Sequence, residues 1–379
     1  MSAAPIEPAE RPRPVLPDYA GASLARVGPA LLAPPDVRPG WLPGPALQAE
    51  QVVLLVLDGL GWHQLQARPA VAPTLSAMTG GRMSSVVPTT TATALTSITF
   101  GAAPAAHGLV GYRVRVDGPS GDEVLNALHW TTTSGDARPF VPPRAFVRGQ
   151  AFAGRPVPVV SRAAFAGTGF SEAHLAGTVA ASWHAASSIA VEVGHHLRAG
   201  EPLVYAYYDG IDRIAHVTGL GEYYDAELVA ADRLVADLIA ALPGGCALVV
   251  VADHGQVEVG GRAKVVAGPV LEATAMMSGE GRFRWLHAKP GAAADLLAAA
   301  EETYGAEAWV RTIDQVDAEG WYGGPLEAED RLRLGDVALV PYLPVAYLDP
   351  ADRNEHSLVC RHGSVTADEM HVPLLAVAV

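Results

Sequence analysis

Four short apolar runs constrain this chain more than any other feature of its sequence. Val52-Val53-Leu54-Leu55-Val56-Leu57 is an unbroken β-branched and leucine stretch that ends in Asp58-Gly59, and residues 203–207, 247–252 and 373–379 repeat the pattern. A strand with one wet face alternates apolar and polar residues, whereas a run without alternation needs cover on both faces, as in a parallel sheet. Helical stretches lie between the runs, the clearest over residues 222–242, rich in Ala and Leu and closed by Pro243-Gly244-Gly245. The expectation is an α/β fold, a doubly wound, mostly parallel sheet with helices on both faces.

Two stretches interrupt this order. Residues 113–158 are rich in Gly, Pro, Thr and Arg with little periodicity, and residues 256–356 form a long excursion between runs that otherwise read as neighbours. Both are expected to fold as a lid or cap over the strand ends. The expected organisation is a Pro-rich N-terminal arm over residues 1–48, extended and packed on the core, a core from 49–255 and 357–379, and an inserted cap region over 256–356. With 379 residues, half of them hydrophobic, the chain is long enough for one large core plus such a cap.

A formal net charge of −14 repels polyanions, and no basic run with interleaved aromatics supplies phosphate contacts, so long DNA or RNA is excluded as a partner. A small phosphorylated ligand stays compatible, because bound divalent cations reverse the local sign. Cys246 and Cys360 sit in or beside apolar runs and read as buried reduced thiols. Residues 1–13 carry acids and prolines without a basic segment followed by an apolar one, and no apolar run approaches the roughly 20 residues of a spanning helix. The expected location is cytoplasmic, away from membranes; oligomeric state has no signal in the sequence.

Ionisable residues gather where the runs end. Asp58 follows the first, Asp209 and Asp212 follow the second, and Asp253-His254 follow the third. In open α/β sheets ligands bind outside the carboxyl ends of the strands, so these groups are expected to converge. Asp212 and His216 stand one helical turn apart and can present two ligands from one face, although an exposed pair has the same spacing. Asp253-His254 before Gly255 has little packing value. Near the C-terminus His362-Gly363 has the form of a ligand loop, with His371 as its competitor. His63, His107, His129, His184, His195 and His196 lack ligand spacing and read as structural or surface residues.

A hydroxyl candidate comes from Pro88-Thr89-Thr90-Thr91-Ala92-Thr93-Ala94, which leads into a helical stretch over residues 94–100 and stops at Gly101. A hydroxyl at the start of that helix meets backbone N–H groups and the positive dipole end, where anions bind. Metal coordination lowers the pKa of such a weak nucleophile.

Taken in order, Asp58-Gly59, Val87-Pro88-Thr89-Thr90-Thr91, Gly101 with Ala105-Ala106-His107-Gly108-Leu109, Asp212-Arg213-Ile214-Ala215-His216, Ala252-Asp253-His254-Gly255 and His362-Gly363 resemble the nucleotide pyrophosphatase/phosphodiesterases of the alkaline phosphatase superfamily. The resemblance runs from about residue 51 to the C-terminus, insertions excepted. It implies Thr91 as metal-bound nucleophile, one ion held by Asp58, Thr91, Asp253 and His254, and a second by Asp212, His216 and His362. Mixed Asp/His ligands suit zinc, with manganese as the alternative. The implied activity is hydrolysis of phosphodiester or phosphoanhydride bonds of small molecules such as nucleotides, through a phospho-threonine intermediate.

One departure stands out. The relatives usually carry an asparagine three residues after the nucleophile to bind a phosphate oxygen, and Ala94 stands there. Tyr112, Arg113 and Asn126 are candidate replacements from the insertion, and Asp209 is a candidate partner for His216 or His362, or a turn residue. A phosphomonoesterase or a phosphonate C–P hydrolase on the same site is the enzymatic alternative. A catalytically dead scaffold or binding protein is the non-enzymatic one. Sulfatases usually need a cysteine or serine at position 91, and phosphoglycerate mutases use serine.

Overall fold

The structure, a computed structural model, describes residues 11–351 and 357–379. Seven strands form its central sheet: β1 (Gln51–Leu57), β2 (Thr79–Ser84), β3 (Pro158–Arg162), β4 (Val179–Trp183), β5 (Leu203–Tyr208), β6 (Cys246–Val251) and β7 (His371–Ala378). Their spatial order is β2-β7-β6-β1-β5-β3-β4. β1 lies between β6 and β5 and is parallel to both, with Val56 opposite Val251 on one side and Tyr207 on the other. That register brings Asp58, Asp253 and Asp209 out along one edge of the sheet. Helices α1 (Thr91–Phe100), α2 (Gly210–Thr218) and α3 (Glu222–Ala241) pack around it, α1 with nine of its ten residues buried. Two hydroxyls inside α1 bond back within the helix, Thr96 donating to the Ala92 carbonyl at 2.7 Å and Thr99 to that of Leu95 at 3.0 Å.

β7 does not follow the parallel pattern that its apolar run suggested, since it pairs antiparallel with both β6 and β2. An unbroken apolar run encodes burial on two faces but carries no direction. The edge strands β2 and β4 had no such run, because an edge strand keeps one side in water; Thr79, Gly80, Val179 and Ala180 are exposed.

The region 113–158 contains an antiparallel hairpin, Arg113–Gly118 with Gly121–Asn126. Within 256–356 lies a four-stranded antiparallel sheet, Thr274–Glu280, Phe283–Ala288, Val337–Pro341 and Ala308–Thr312, with an apolar cluster that includes Leu286, Leu296, Leu339 and Tyr347. The stretch before residue 49, read as extended, carries a helix over Leu24–Leu32 despite Pro29 inside it. Leu24, Val27 and Leu31 recur at helical spacing and are buried, so amphipathic patterning outweighs the proline content. Gly28 lets this helix approach α1, since a Cβ there would lie 2.4 Å from the Ile98 carbonyl oxygen. Residues 1–10 of the expected arm and 352–356 of the expected cap lie outside the described residues. Cys246 and Cys360 are free and buried. Among the described residues no helix is long and apolar enough to cross a membrane.

Candidate metal centre

Asp58 leaves β1 with its two carboxylate oxygens in different surroundings. Oδ2 accepts a short hydrogen bond from the Tyr207 hydroxyl. Among the described residues Oδ1 has no hydrogen-bond partner; it is buried, 3.4 Å from His254 Nε2. Asp253 repeats the arrangement: Oδ1 accepts the backbone N–H of Gly59 at 3.0 Å and of His254 at 3.1 Å, while Oδ2 has no hydrogen-bond partner among the described residues and lies 3.4 Å from the same Nε2. His254 Nδ1 meets the Gly255 carbonyl at 3.1 Å, so the proton sits on Nδ1 and the lone pair of Nε2 faces the two carboxylates.

Unsatisfied buried carboxylate oxygens around an imidazole lone pair are unfavourable in a protein interior unless a cation joins them. Burial, followed by the charges of Asp253 and Asp212, pushes the Asp58 carboxyl well above the usual carboxylate range. A divalent ion removes that conflict, and Asp58, Asp253 and His254 each offer an atom within 4.8 Å of the others. The residues therefore fit a metal. Gly59 is required here, with φ +74° and a would-be Cβ only 2.9 Å from Asp212 Cβ.

Asp212 and His216 occupy one face of α2. Asp212 Oδ1 is 3.3 Å from His216 Nε2 and 3.9 Å from His362 Nε2. Each imidazole is turned by a carbonyl behind it, His216 Nδ1 donating to Cys360 at 2.7 Å and His362 Nδ1 to Thr89 at 2.8 Å. Burial, then the neighbouring His254 and His216, holds the His362 pKa well below its ordinary value, which favours the neutral, ligating form. Asp212, His254 and His362 form a second triad with ligand atoms within 4.8 Å, and the His254 and His362 rings stack at 3.6 Å. His254 thus borders both clusters. Gln256, which the sequence did not single out, donates to Asp212 Oδ1 at 2.6 Å.

Thr91 is the first residue of α1, and its Oγ1 lies 3.2 Å from His254 Nε2. The neighbouring hydroxyls turn elsewhere: Thr89 donates to the Ser364 carbonyl at 2.8 Å, and Thr90 faces Glu280 Oε2 at 3.4 Å. Ala94 is buried one turn further along α1. Asn126 Nδ2 donates to the Tyr112 hydroxyl at 2.7 Å, and both residues line a cavity with Thr91 and His362. Arg113, opposite Asn126 across the hairpin, lies outside that lining. Asp209 binds Arg162 at 2.6 Å, and carbonyl oxygens hold His216 and His362 where Asp209 was one candidate. His371 pairs with His63 at 3.0 Å.

Tyr207, Gln256 and Glu280 reach the cluster without a sequence signal strong enough to mark them. The one available hint was Tyr207, a phenol near the carboxyl end of an otherwise apolar run.

The model of the type I phosphodiesterase/nucleotide pyrophosphatase family matches residues 52–317, more than half of the chain. Among solved structures, murine ectonucleotide pyrophosphatase/phosphodiesterase 5, as an inactive variant in complex with AMP, is similar at 15% identity and a TM-score of 0.64, covering 86% of this chain and 87% of that one. The human form gives 14% and 0.63, with the same coverage of 86% and 87%. Phosphonoacetate hydrolase from Sinorhizobium meliloti, in complex with phosphonoacetate, gives 16% and 0.62 over 87% of this chain and 90% of that chain. A search of the curated proteins finds no match. At these identities the structural likenesses speak for the fold, and the family match speaks for the lineage: the chain belongs to the type I phosphodiesterase/nucleotide pyrophosphatase family, metal-dependent phosphoric ester hydrolases of the alkaline phosphatase superfamily.

Proposed function

We propose that this enzyme hydrolyses phosphodiester or phosphoanhydride bonds of small molecules, nucleotides among them, with Thr91 as nucleophile. The observation that carries the reading is the pair of unsatisfied buried oxygens, Asp58 Oδ1 and Asp253 Oδ2, converging on His254 Nε2 with the Thr91 hydroxyl 3.2 Å from that nitrogen. Asp58, Thr91, Asp253 and His254 would hold one divalent ion and Asp212, His216 and His362 the other, with zinc favoured by the Asp/His donors and manganese as alternative. When bound, the two ions supply Lewis-acid stabilisation of charge on the attacking and phosphoryl oxygens.

The protein's own contribution is position. Thr91 Oγ1 attacks phosphorus, the bond to the leaving oxygen breaks, and a phospho-threonine forms that water then hydrolyses. The amino end of α1 sets backbone N–H groups and a positive dipole end beside the phosphoryl group. Tyr207, Gln256 and the Cys360 and Thr89 carbonyls hold the ligand side chains in their orientations.

The test is metal analysis of the purified chain followed by turnover of bis(4-nitrophenyl) phosphate, 4-nitrophenyl phosphate and phosphonoacetate. About two divalent ions per chain and fastest turnover of the diester are expected. Full activity in metal-free protein would overturn the reading, and preference for the monoester or the phosphonate would move the enzyme to that class.

A further inference from the structure

Two histidines that share no residue with the candidate metal centre meet on its far flank. His63 lies in the short helix Trp62–Gln66 that follows the Asp58 loop, and His371 opens β7. They are 308 residues apart in the sequence, yet His63 Nε2 and His371 Nδ1 are 3.0 Å apart, with ring centroids at 5.2 Å. Both residues are partly exposed. Two side-chain charges act on His371: the exposed guanidinium of Arg82 on β2, and the exposed carboxylate of Asp368 in the turn of helix Ala367–Met370.

The elements that carry the two rings are fastened to each other. Gln64, beside His63, is buried and donates to the Gln256 carbonyl at 2.6 Å and to the Asp368 carbonyl at 3.4 Å. The Gly255 N–H donates to the Glu369 carbonyl at 2.8 Å. A Cβ on Gly255 would lie 1.9 Å from the Asp368 carbonyl oxygen and 3.0 Å from Gly61 Cα, so only glycine permits this approach. The spacing of the two rings is thus set by a frame of packed backbone.

One proton between the two inner nitrogens makes a hydrogen bond. The same frame also suits ligation, because two imidazole nitrogens bound to one tetrahedral ion at about 2.0–2.1 Å each are about 3.3 Å apart, which a small rotation of partly exposed rings reaches. No net proton has to leave: the shared one passes to an outer ring nitrogen, and both inner lone pairs then face the ion. Burial, followed by Arg82 and His63, pushes the His371 ring down from 6.5 to about 4, so at neutral pH it is the uncharged, ligating form. Imidazole donors suit zinc and its neighbours and not magnesium or calcium. We propose that His63 and His371 bind a further divalent ion of the zinc type, with the Asp368 carboxylate as third donor, in a structural site that clamps the helix after β1 to the start of β7. The site is separate from the hydrolase reading and stands or falls without it.

The test saturates the full chain with zinc, removes loosely held ion by gel filtration, and compares its metal content with that of His63→Gln and His371→Gln. Glutamine keeps a hydrogen-bonding group in place of each ring but is a poor ligand. The wild type should hold one zinc more per chain than either variant, whatever the count at the Asp58 and Asp212 clusters. Added zinc should raise the thermal midpoint of the wild type further than that of either variant, as an ion bound only by the folded chain does. Asp368→Asn should weaken the extra ion several-fold in a chelator competition. A measurement on the unaltered chain stands beside the variants: zinc, and not magnesium, should protect His63 and His371 from carbethoxylation mapped by mass spectrometry. Equal zinc content in the wild type and both variants, or undiminished modification of the two rings in zinc, overturns the site. Failure of the hydrolase reading would instead leave the Asp58 and Asp212 clusters without ions, with the difference of one zinc between wild type and variants unchanged.

Discussion

Tyr207 spends its hydroxyl on one oxygen of Asp58 and thereby fixes which oxygen faces His254. Tyr207→Phe should leave the apolar packing nearly unchanged and lower metal affinity about 10–100-fold, as loss of an orienting partner does; a competition titration with a chromogenic chelator measures it. The threonines separate by the same logic. Thr91→Ala should keep the fold and most metal binding and lose several orders of magnitude in turnover, Thr91→Ser should retain part of it, and Thr89→Ala should cost on the order of 1 kcal/mol of stability through its lost hydrogen bonds. If Thr90→Ala were the dead variant and Thr91→Ala active, the register would be wrong by one residue. The meeting of Asp58, Asp253 and His254 was legible in the sequence, because ionisable residues that end apolar strands have little else to do there. Tyr207 and Gln256 were not, since what matters in them is a hydroxyl or amide aimed across the sheet edge, and linear spacing does not encode aim.

At the scale of elements, the loop between β1 and the next helix is as constrained as the candidate ligand it carries. Gly59→Ala would place a methyl group against Asp212 Cβ and Gln256 Nε2 at 2.9 and 2.8 Å, on a backbone at φ +74°. It should destabilise the fold by about 1–3 kcal/mol and reduce metal content in parallel, read from urea midpoints with and without chelator. An unchanged midpoint would mean that the loop relaxes freely. The apolar runs marked β1, β5, β6 and β7 because burial on two faces leaves a compositional trace. They were silent on β2, β4 and the direction of β7, since edge position and strand polarity are decided by what lies beside a strand.

The whole molecule carries buried neutral histidines beyond those of the candidate metal centre. Burial lowers the pKa of His107 from 6.5 to about 3 and that of His174 from 6.5 to about 4. The unfolded chain takes up these protons near pH 6.5 and the folded chain only well below it, so their contribution is complete above about pH 6.5 and drains away as pH falls toward the folded values. Each contributes a slope of up to about 1.4 kcal/mol per pH unit in that window. The urea midpoint should therefore be lower at pH 5 than at pH 7.5, and an equal or higher value at pH 5 would contradict the burial of these rings as neutral species. The place of β7 inside the sheet, between β2 and β6, bears on how the protein comes into being. The candidate ligand His362 and β7 lie far along the chain from β1, and the buried Arg282–Glu369 ion pair ties the inserted sheet to the segment that joins them. The grouping of Asp58, Thr91, Asp212 and His254 with His362 therefore depends on contacts between distant parts of the chain, which form late in folding because closing a long loop costs entropy.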